Sequence, residues 1–353
     1  MSTNCRTYLP PEWAPQSGVM LTWPHRYHDW ASQLKEIEQV YIVLTEHISR
    51  YERVLIACYD KTHRDHVEVL LESSSTDLQA ISLITVPSDD TWVRDYGPIT
   101  VICQDEAALL DFQFNGWGGK YSTNKDNGVS RTLLHKDGFG DTPMEYMPYV
   151  LEGGSIDVDG SGSLLTTRSC LMDSRRNANV ECSALERDLK DWFGLTRIVW
   201  LDVGALAGDD TDGHIDTLAR FCNADTIAYT SCDDPEDEHY ASLSRMADQL
   251  RSLRAISDRP YKLVPLPLPA AIYNTAGQRL PATYANFLII NGAVLVPVYD
   301  DPADQTALQA LSETFPDREV IAIDCLPLIQ QYGSLHCITM QLPQGVLPTV
   351  TAS

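Results

Sequence analysis

Short apolar runs alternate with amphipathic stretches along the chain, and turn residues separate them. The pattern predicts strands at Val19–Trp23, Arg53–Cys58, Ile81–Val86, Ile99–Cys103, Ala107–Phe112, Ser163–Thr167, Arg197–Leu201, Ile215–Phe221, Thr226–Thr230, Lys262–Pro265, Asn286–Ile290, Ala293–Val298, Glu319–Ile323 and Ile338–Gln341. It predicts helices at Asp29–Tyr51, Lys61–Leu71, Ser183–Phe193, Pro235–Leu253 and Pro302–Phe315. The first helix is the clearest: Ile37, Tyr41, Leu44 and Ile48 form one apolar stripe, and Asp29 is a suitable N-cap. Hairpin turns are expected at Asp159-Gly160 and Asn291-Gly292. A unit of hairpin, helix and strand recurs about five times, as a repeat of pattern with little sequence identity. Units of that kind closed into a ring would gather their hairpin ends near one axis, where distant parts of the chain can build a site.

The composition changes this picture little. The chain has 353 residues, 44% hydrophobic and 21% charged, which suits a globular protein with a large core. Charge is more informative. Lys and Arg total 26 against 49 Asp and Glu, a net charge of −23. Phosphate binding needs a basic face, so nucleic acid is excluded as a partner. An acidic field favours a small cation, although it also serves plain solubility. MSTNCRTYLPPEW lacks the basic-then-apolar form of a signal peptide, and no apolar run reaches the length of a membrane span. A cytoplasmic location without a membrane partner is expected. The nine cysteines include no CxxC pair, so neither a zinc cage nor a dithiol motif is indicated. Most are expected to be small buried hydrophobes in a reducing compartment.

Polar residues cluster beside glycines at four places where an apolar run stops. SDDTWVRDYGP crowds Asp89, Asp90, Trp92, Arg94 and Asp95 into one loop. LEGGSIDVDG sets Glu152 between an apolar run and two glycines, which allow a close backbone approach. GDDTDGHIDTLARF carries Asp209, Asp210 and Asp212 ahead of His214 and Asp216, which share a face if a strand begins there. GSLHCITMQLP puts Cys337 at the start of an apolar strand, where a thiol can be exposed and activated. FNGWGGKY, with Trp117, suits either a pocket cover or a plain surface loop. Taken singly, each cluster also fits a solvated turn or a buried structural cysteine.

Together they supply a thiol, a histidine and carboxylates from separate segments, with no GxSxG elbow. His214 has no second histidine at ligand spacing, so no metal is expected, and no cofactor. Carbonyl chemistry does not call for several carboxylates, whereas a planar guanidinium with five N–H donors does. Held between carboxylates, it presents an electrophilic carbon to a thiolate.

The strings PPEWAPQSGVMLTWPH, DDTWVRDYGP, FNGWGGKY, LEGGSIDVDG, GHIDTLARF and GSLHCITMQLP resemble the agmatine deiminase and Porphyromonas-type peptidylarginine deiminase family, within the guanidino-modifying (pentein) superfamily. The likeness runs from about Pro10 to about Pro343. It implies a single catalytic α/β domain over residues 1–353, a five-bladed propeller of pseudo-fivefold ββαβ repeats. It implies Cys337 as nucleophile, His214 as general acid and base, Glu152 as a guanidinium and proton-transfer partner, and Asp95 and Asp216 as guanidinium ligands. Trp92 would lie along the substrate's aliphatic part. Asp89, Asp90, Asp209, Asp210 and Asp212 are candidates for a distal amine, and Trp117 for the pocket wall. The expected reaction is hydrolysis of agmatine to N-carbamoylputrescine and ammonia through a Cys337 thiouronium. A deiminase of arginine or peptidylarginine, and a non-catalytic polyamine-binding protein, are the alternatives. A homodimer is the expectation for a soluble enzyme.

Overall fold

The computed structural model describes Thr7–Leu347, a mixed α/β fold whose strands are divided among five small sheets. These residues form two compact units. One contains Ala14–Gly153 and the described residues from Cys337 onward; the other contains Thr7–Trp13 and Gly154–His336.

In the second unit a single plan occurs three times. Ile156–Val158 and Ser163–Thr167 pair antiparallel, and Arg197–Leu201 lies parallel to the latter after the helix Cys182–Phe193. Ala219–Asn223, Thr226–Ser231 and Lys262–Pro267 repeat this around the helix Tyr240–Ser252. Leu288–Ile290, Ala293–Val298 and Glu319–Asp324 do so around Ala303–Thr314. The order follows from geometry: an antiparallel pair closes with a tight turn, whereas a parallel partner needs a long crossover, which the helix supplies. Glycine makes the turns possible: Gly160 has φ +66 and Gly292 has φ +73. The core of this unit gathers Leu165, Phe221, Ile227, Leu243, Met246 and Leu250.

In the first unit Ile99–Cys103 and Glu106–Gln113 pair antiparallel, and Met144–Val150 lies parallel to the latter. Gln16–Thr22, Arg53–Cys58 and Ile81–Thr85 form a parallel ladder. Its antiparallel neighbour, Met340–Pro343, comes from the far end of the chain. The stripe Ile37, Tyr41, Leu44 and Ile48 is fully buried.

Several expectations are corrected. The long first helix is two elements, a 3₁₀ turn at Asp29–Ser32 and an α-helix at Leu34–Ser49. Gln33 therefore occupies the N-cap position expected for Asp29. Met144–Val150 is a strand outside the expected set, and it contains Pro148. It lies at a sheet edge, where a missing N–H is tolerated. The helix Val129–His135 is too short for its stripe to register.

Cys58, Cys170, Cys222, Cys325 and Cys337 are buried, and burial pushes the Cys58 and Cys222 thiols up to about 12. Cys103 departs from the expected pattern in being disulfide-bonded, and Cys5 lies outside the described residues. No helix among the described residues is long and apolar enough to cross a membrane.

Leu44 and Val43 are neighbours on one helix, the first fully buried and the second 38% exposed. Leu44→Ala should cost about 2–5 kcal/mol in urea unfolding. Val43→Ala should stay within about 0.5 kcal/mol.

Candidate active site

His214 and Asp216 do not lie on a strand. Ile215–Thr217 forms a 3₁₀ turn, and the strand begins only at Ala219. The two side chains therefore do not share a strand face as expected; a tight turn directs them. Its approach is built by the acidic run itself. The Asp209 carboxylate accepts bonds from the Thr211 N–H (3.0 Å) and the Gly213 N–H (2.7 Å), and Thr211 Oγ1 accepts from the His214 N–H (3.0 Å). Gly213 has φ +95, and a Cβ there would sit 2.9 Å from Ser169 Oγ. A side chain at that position would be strained as well as crowded.

His214 and Asp216 are both fully buried. Asp216 Oδ2 meets His336 Nδ1 at 2.8 Å, and its backbone carbonyl accepts from Asn286 Nδ2 at 3.3 Å. Burial pushes the Asp216 carboxyl up. The His336 bond and charge, aided by the charges of His214 and Arg220, outweigh burial and hold it below its ordinary value. The Cys170 sulfur lies within 4.8 Å of a His214 ring nitrogen, so a buried thiol and an imidazole are close neighbours in this unit.

In the first unit Asp95 belongs to a single helical turn, Val93–Tyr96, and is 3% exposed. Its Oδ2 accepts a bond from Trp117 Nε1 at 2.8 Å. Trp117 itself has φ +54, between Gly116 at φ +68 and Gly118 at φ +84. The FNGWGGKY segment is thus a built turn that presents its indole to Asp95, with Phe114 and Tyr121 edge-on to the ring.

Glu152 is 1% exposed, just ahead of the 3₁₀ turn Gly153–Ser155. The glycine after it has a clear purpose. A Cβ on Gly153 would fall 2.2 Å from the Arg94 carbonyl oxygen and 3.0 Å from Met340 Cε. A Cβ on Gly97 would fall 2.5 Å from the Val93 carbonyl oxygen and 3.2 Å from Met340 Cγ. The segments carrying Asp95, Glu152 and Cys337 therefore meet closely, through Gly97, Gly153 and Met340. Arg94 joins the same contact: its Nη1 donates to Gln341 Oε1 and lies 3.7 Å from Met340 Sδ.

Cys337 is placed differently from expectation. It sits in the 3₁₀ turn His336–Ile338, ahead of the strand Met340–Pro343, and is only 6% exposed rather than open at a strand mouth.

The remaining acids have partners. Asp90 accepts from the indoles of Trp30 (2.9 Å) and Trp92 (3.1 Å), and burial raises its carboxyl. Trp92 packs against Trp30 at 5.8 Å and is 5% exposed. Asp89 lies 3.1 Å from Lys125 Nζ. Asp126 accepts the backbone N–H groups of Asp89 and Asp90, and burial pushes it well above the ordinary range. Asp212 pairs with Arg175 at 2.8 Å and Arg176 at 2.9 Å. Asp210 is half-buried.

Sequence reasoning did not single out Glu12, Asp157, Arg220 or His336. All four are buried and ionically connected. Each stands within a string that carried the family resemblance, which was the one available signal. No periodicity marks a charged residue that is satisfied only by partners far along the chain.

The model of the Porphyromonas-type peptidyl-arginine deiminase family matches residues 8–343. The agmatine deiminase of Pseudomonas putida is 33% identical, covering 96% of this chain and 96% of that protein. A Porphyromonas gingivalis protein provisionally named an arginine deiminase superposes with a TM-score of 0.90 and 47% identity, over 97% of this chain and 100% of that one. A cysteine-to-serine variant of C. jejuni agmatine deiminase with substrate bound superposes with a TM-score of 0.90 and 35% identity, over 98% and 99% of the two chains. With its motifs and glycine-locked contacts accounted for, this chain belongs to the Porphyromonas-type peptidyl-arginine deiminase family.

Proposed function

We propose that the protein is an agmatine deiminase that works through a covalent Cys337 intermediate. The observation that carries this reading is the meeting of the Asp95, Glu152 and Cys337 segments, enforced by Gly97 and Gly153. Full-length likeness to agmatine deiminases of P. putida and C. jejuni supplies the substrate. The C. jejuni protein holds its substrate with a cysteine changed to serine, as expected where a cysteine performs chemistry rather than binding. We further propose that the five hairpin-helix-strand units close into a five-bladed α/β propeller, which is how a chain of such repeats brings distant motifs to one axis.

In this reading Asp95, Glu152 and Asp216 grip the guanidinium through charge-assisted hydrogen bonds. The Cys337 thiolate attacks the central carbon. A C–S bond forms, and the C=N electron pair moves to nitrogen. His214 gives a proton to the departing nitrogen, the C–N bond breaks, and ammonia leaves. The thiouronium on Cys337 is then attacked by water, whose proton passes to His214. Collapse of that adduct re-forms a carbonyl, expels the thiolate, passes the hydroxyl proton to solvent and releases N-carbamoylputrescine. The substrate's own charge makes its carbon electrophilic, so the scheme needs no metal.

Asp89, Asp90 and Asp212 are engaged by Lys125, by two indoles and by two arginines. A distal ammonium would have to displace or share those partners. Free arginine remains the second reading, because the 47%-identical P. gingivalis relative bears that name.

Ammonia release from agmatine, arginine and a peptide ending in arginine decides the substrate. Agmatine should exceed the others by at least about tenfold in kcat/KM, a difference of about 1.4 kcal/mol. Release from none of them would leave a binding protein. Cys337→Ala should lower kcat by about 10⁴-fold or more with the fold retained. Retained turnover would end the covalent scheme. Asp95→Asn should lower kcat/KM by about 10- to 100-fold through loss of a charged hydrogen bond. A chelator should leave the rate unchanged, whereas a metallohydrolase would lose activity.

A further inference from the structure

The second unit encloses an ionic chain that the proposed chemistry does not use. Arg220, 1% exposed, donates from Nε to Asp157 Oδ2 at 3.1 Å, from Nη1 to the Phe287 carbonyl at 2.8 Å, and from Nη2 to Glu12 Oε2 at 2.8 Å. The same Glu12 oxygen meets His336 Nε2 at 2.8 Å, while Glu12 Oε1 accepts the Ile289 N–H at 2.7 Å. The other nitrogen of His336, Nδ1, meets Asp216 Oδ2 at 2.8 Å. The His336 backbone is fixed too: its N–H donates to Asn286 Oδ1 at 2.8 Å, and Asn286 also donates to the Asp216 carbonyl.

Two physical points follow. An ionised carboxylate only accepts hydrogen bonds. An imidazole between two of them satisfies both only with a proton on each nitrogen. Second, Glu12 and Asp157 both meet Arg220, and Glu12 and Asp216 both meet His336, so the state of His336 bears on both of its carboxylate neighbours.

We propose that His336 is a positioning residue: carrying a proton on each ring nitrogen, it keeps Asp216 ionised and fixed to receive the substrate cation, and Glu12 braced by Arg220 holds His336 in that state. The proposal deepens the agmatine deiminase reading and rests on it for the identity of the cation. His336 touches no reacting atom; it acts through Asp216. The charged and titratable groups acting on Asp216 are His336, His214 and Arg220, and those on His336 are Glu12, Asp216 and, through its charge, Asp157. The sign of the effect follows. A neutral residue at 336 removes the bond and charge that offset burial, so the Asp216 carboxyl rises and stays protonated to higher pH. The acid limb of kcat/KM then moves up, and activity recovers as pH increases.

Two measurements test this. Nitrogen NMR of histidine-labelled wild-type protein at pH 8 should show both His336 ring nitrogens protonated, the signal being assigned through Leu335 and Cys337. A nitrogen without a proton there overturns the proposal. His336→Asn keeps an amide donor near the place of Nδ1 but lacks the charge. With agmatine, its acid limb should shift upward by about one pH unit or more, with a raised KM below the shifted limb. A loss of rate that is uniform with pH, or a limb left in place, marks a purely structural role and also overturns the proposal. If the wild-type protein releases no ammonia from any guanidine, the deiminase reading fails by itself. The NMR result on wild type still decides the state of His336, whether or not the variant folds.

Discussion

The buried guanidinium of Arg220 is the constraint on which the polar interior of the second unit depends. Removing it would leave Glu12 and Asp157 as buried carboxylates without their cation. Breaking a buried pair by deleting one partner costs about 3–5 kcal/mol, far more than the pair is worth at a surface. Arg220 is satisfied on three sides, by two carboxylates and the Phe287 carbonyl. It ties the strand from Ala219 to the segment from Thr7, and so fixes the floor beneath His336 and Asp216. The chain of charges ends at a carboxylate held below its ordinary value in spite of complete burial.

The acidic loops divide by what their oxygens meet. Asp209 folds the turn before His214, Asp212 pairs with two arginines, and Asp90 collects two indoles. These acids build loops. Asp95 accepts a bond from the Trp117 indole, and Asp216 meets the His336 imidazole. Acidity in this protein is therefore partly architecture, and the net charge of −23 overstates how much of it is available to a ligand.

Glycine performs the complementary task in the first unit. Gly97 and Gly153 are placed where a methyl group would strike a carbonyl oxygen. Their absence of a side chain lets the segments of Asp95 and Glu152 approach Met340, on the segment of Cys337, within van der Waals distance. Tight packing of this kind transmits any added volume directly to the groups it positions.

Much of this protein was legible in its sequence. Strand and helix positions follow from hydrophobic period, because each apolar run needs only to know which face is covered. The stripe Ile37, Tyr41, Leu44, Ile48 and the turns at Gly160 and Gly292 are of that kind. So are the family motifs, which mark a thiol, a histidine and several carboxylates in order. Tertiary structure alone decided the rest. A local pattern cannot distinguish the 3₁₀ turns at Ile215–Thr217 and His336–Ile338 from the starts of apolar strands, since both begin at the same polar-to-apolar step. Nor can it say that Glu12 is bonded to a histidine 324 positions away. Buried charges are chosen by partners distant along the chain, and only the folded chain brings those partners within hydrogen-bonding distance.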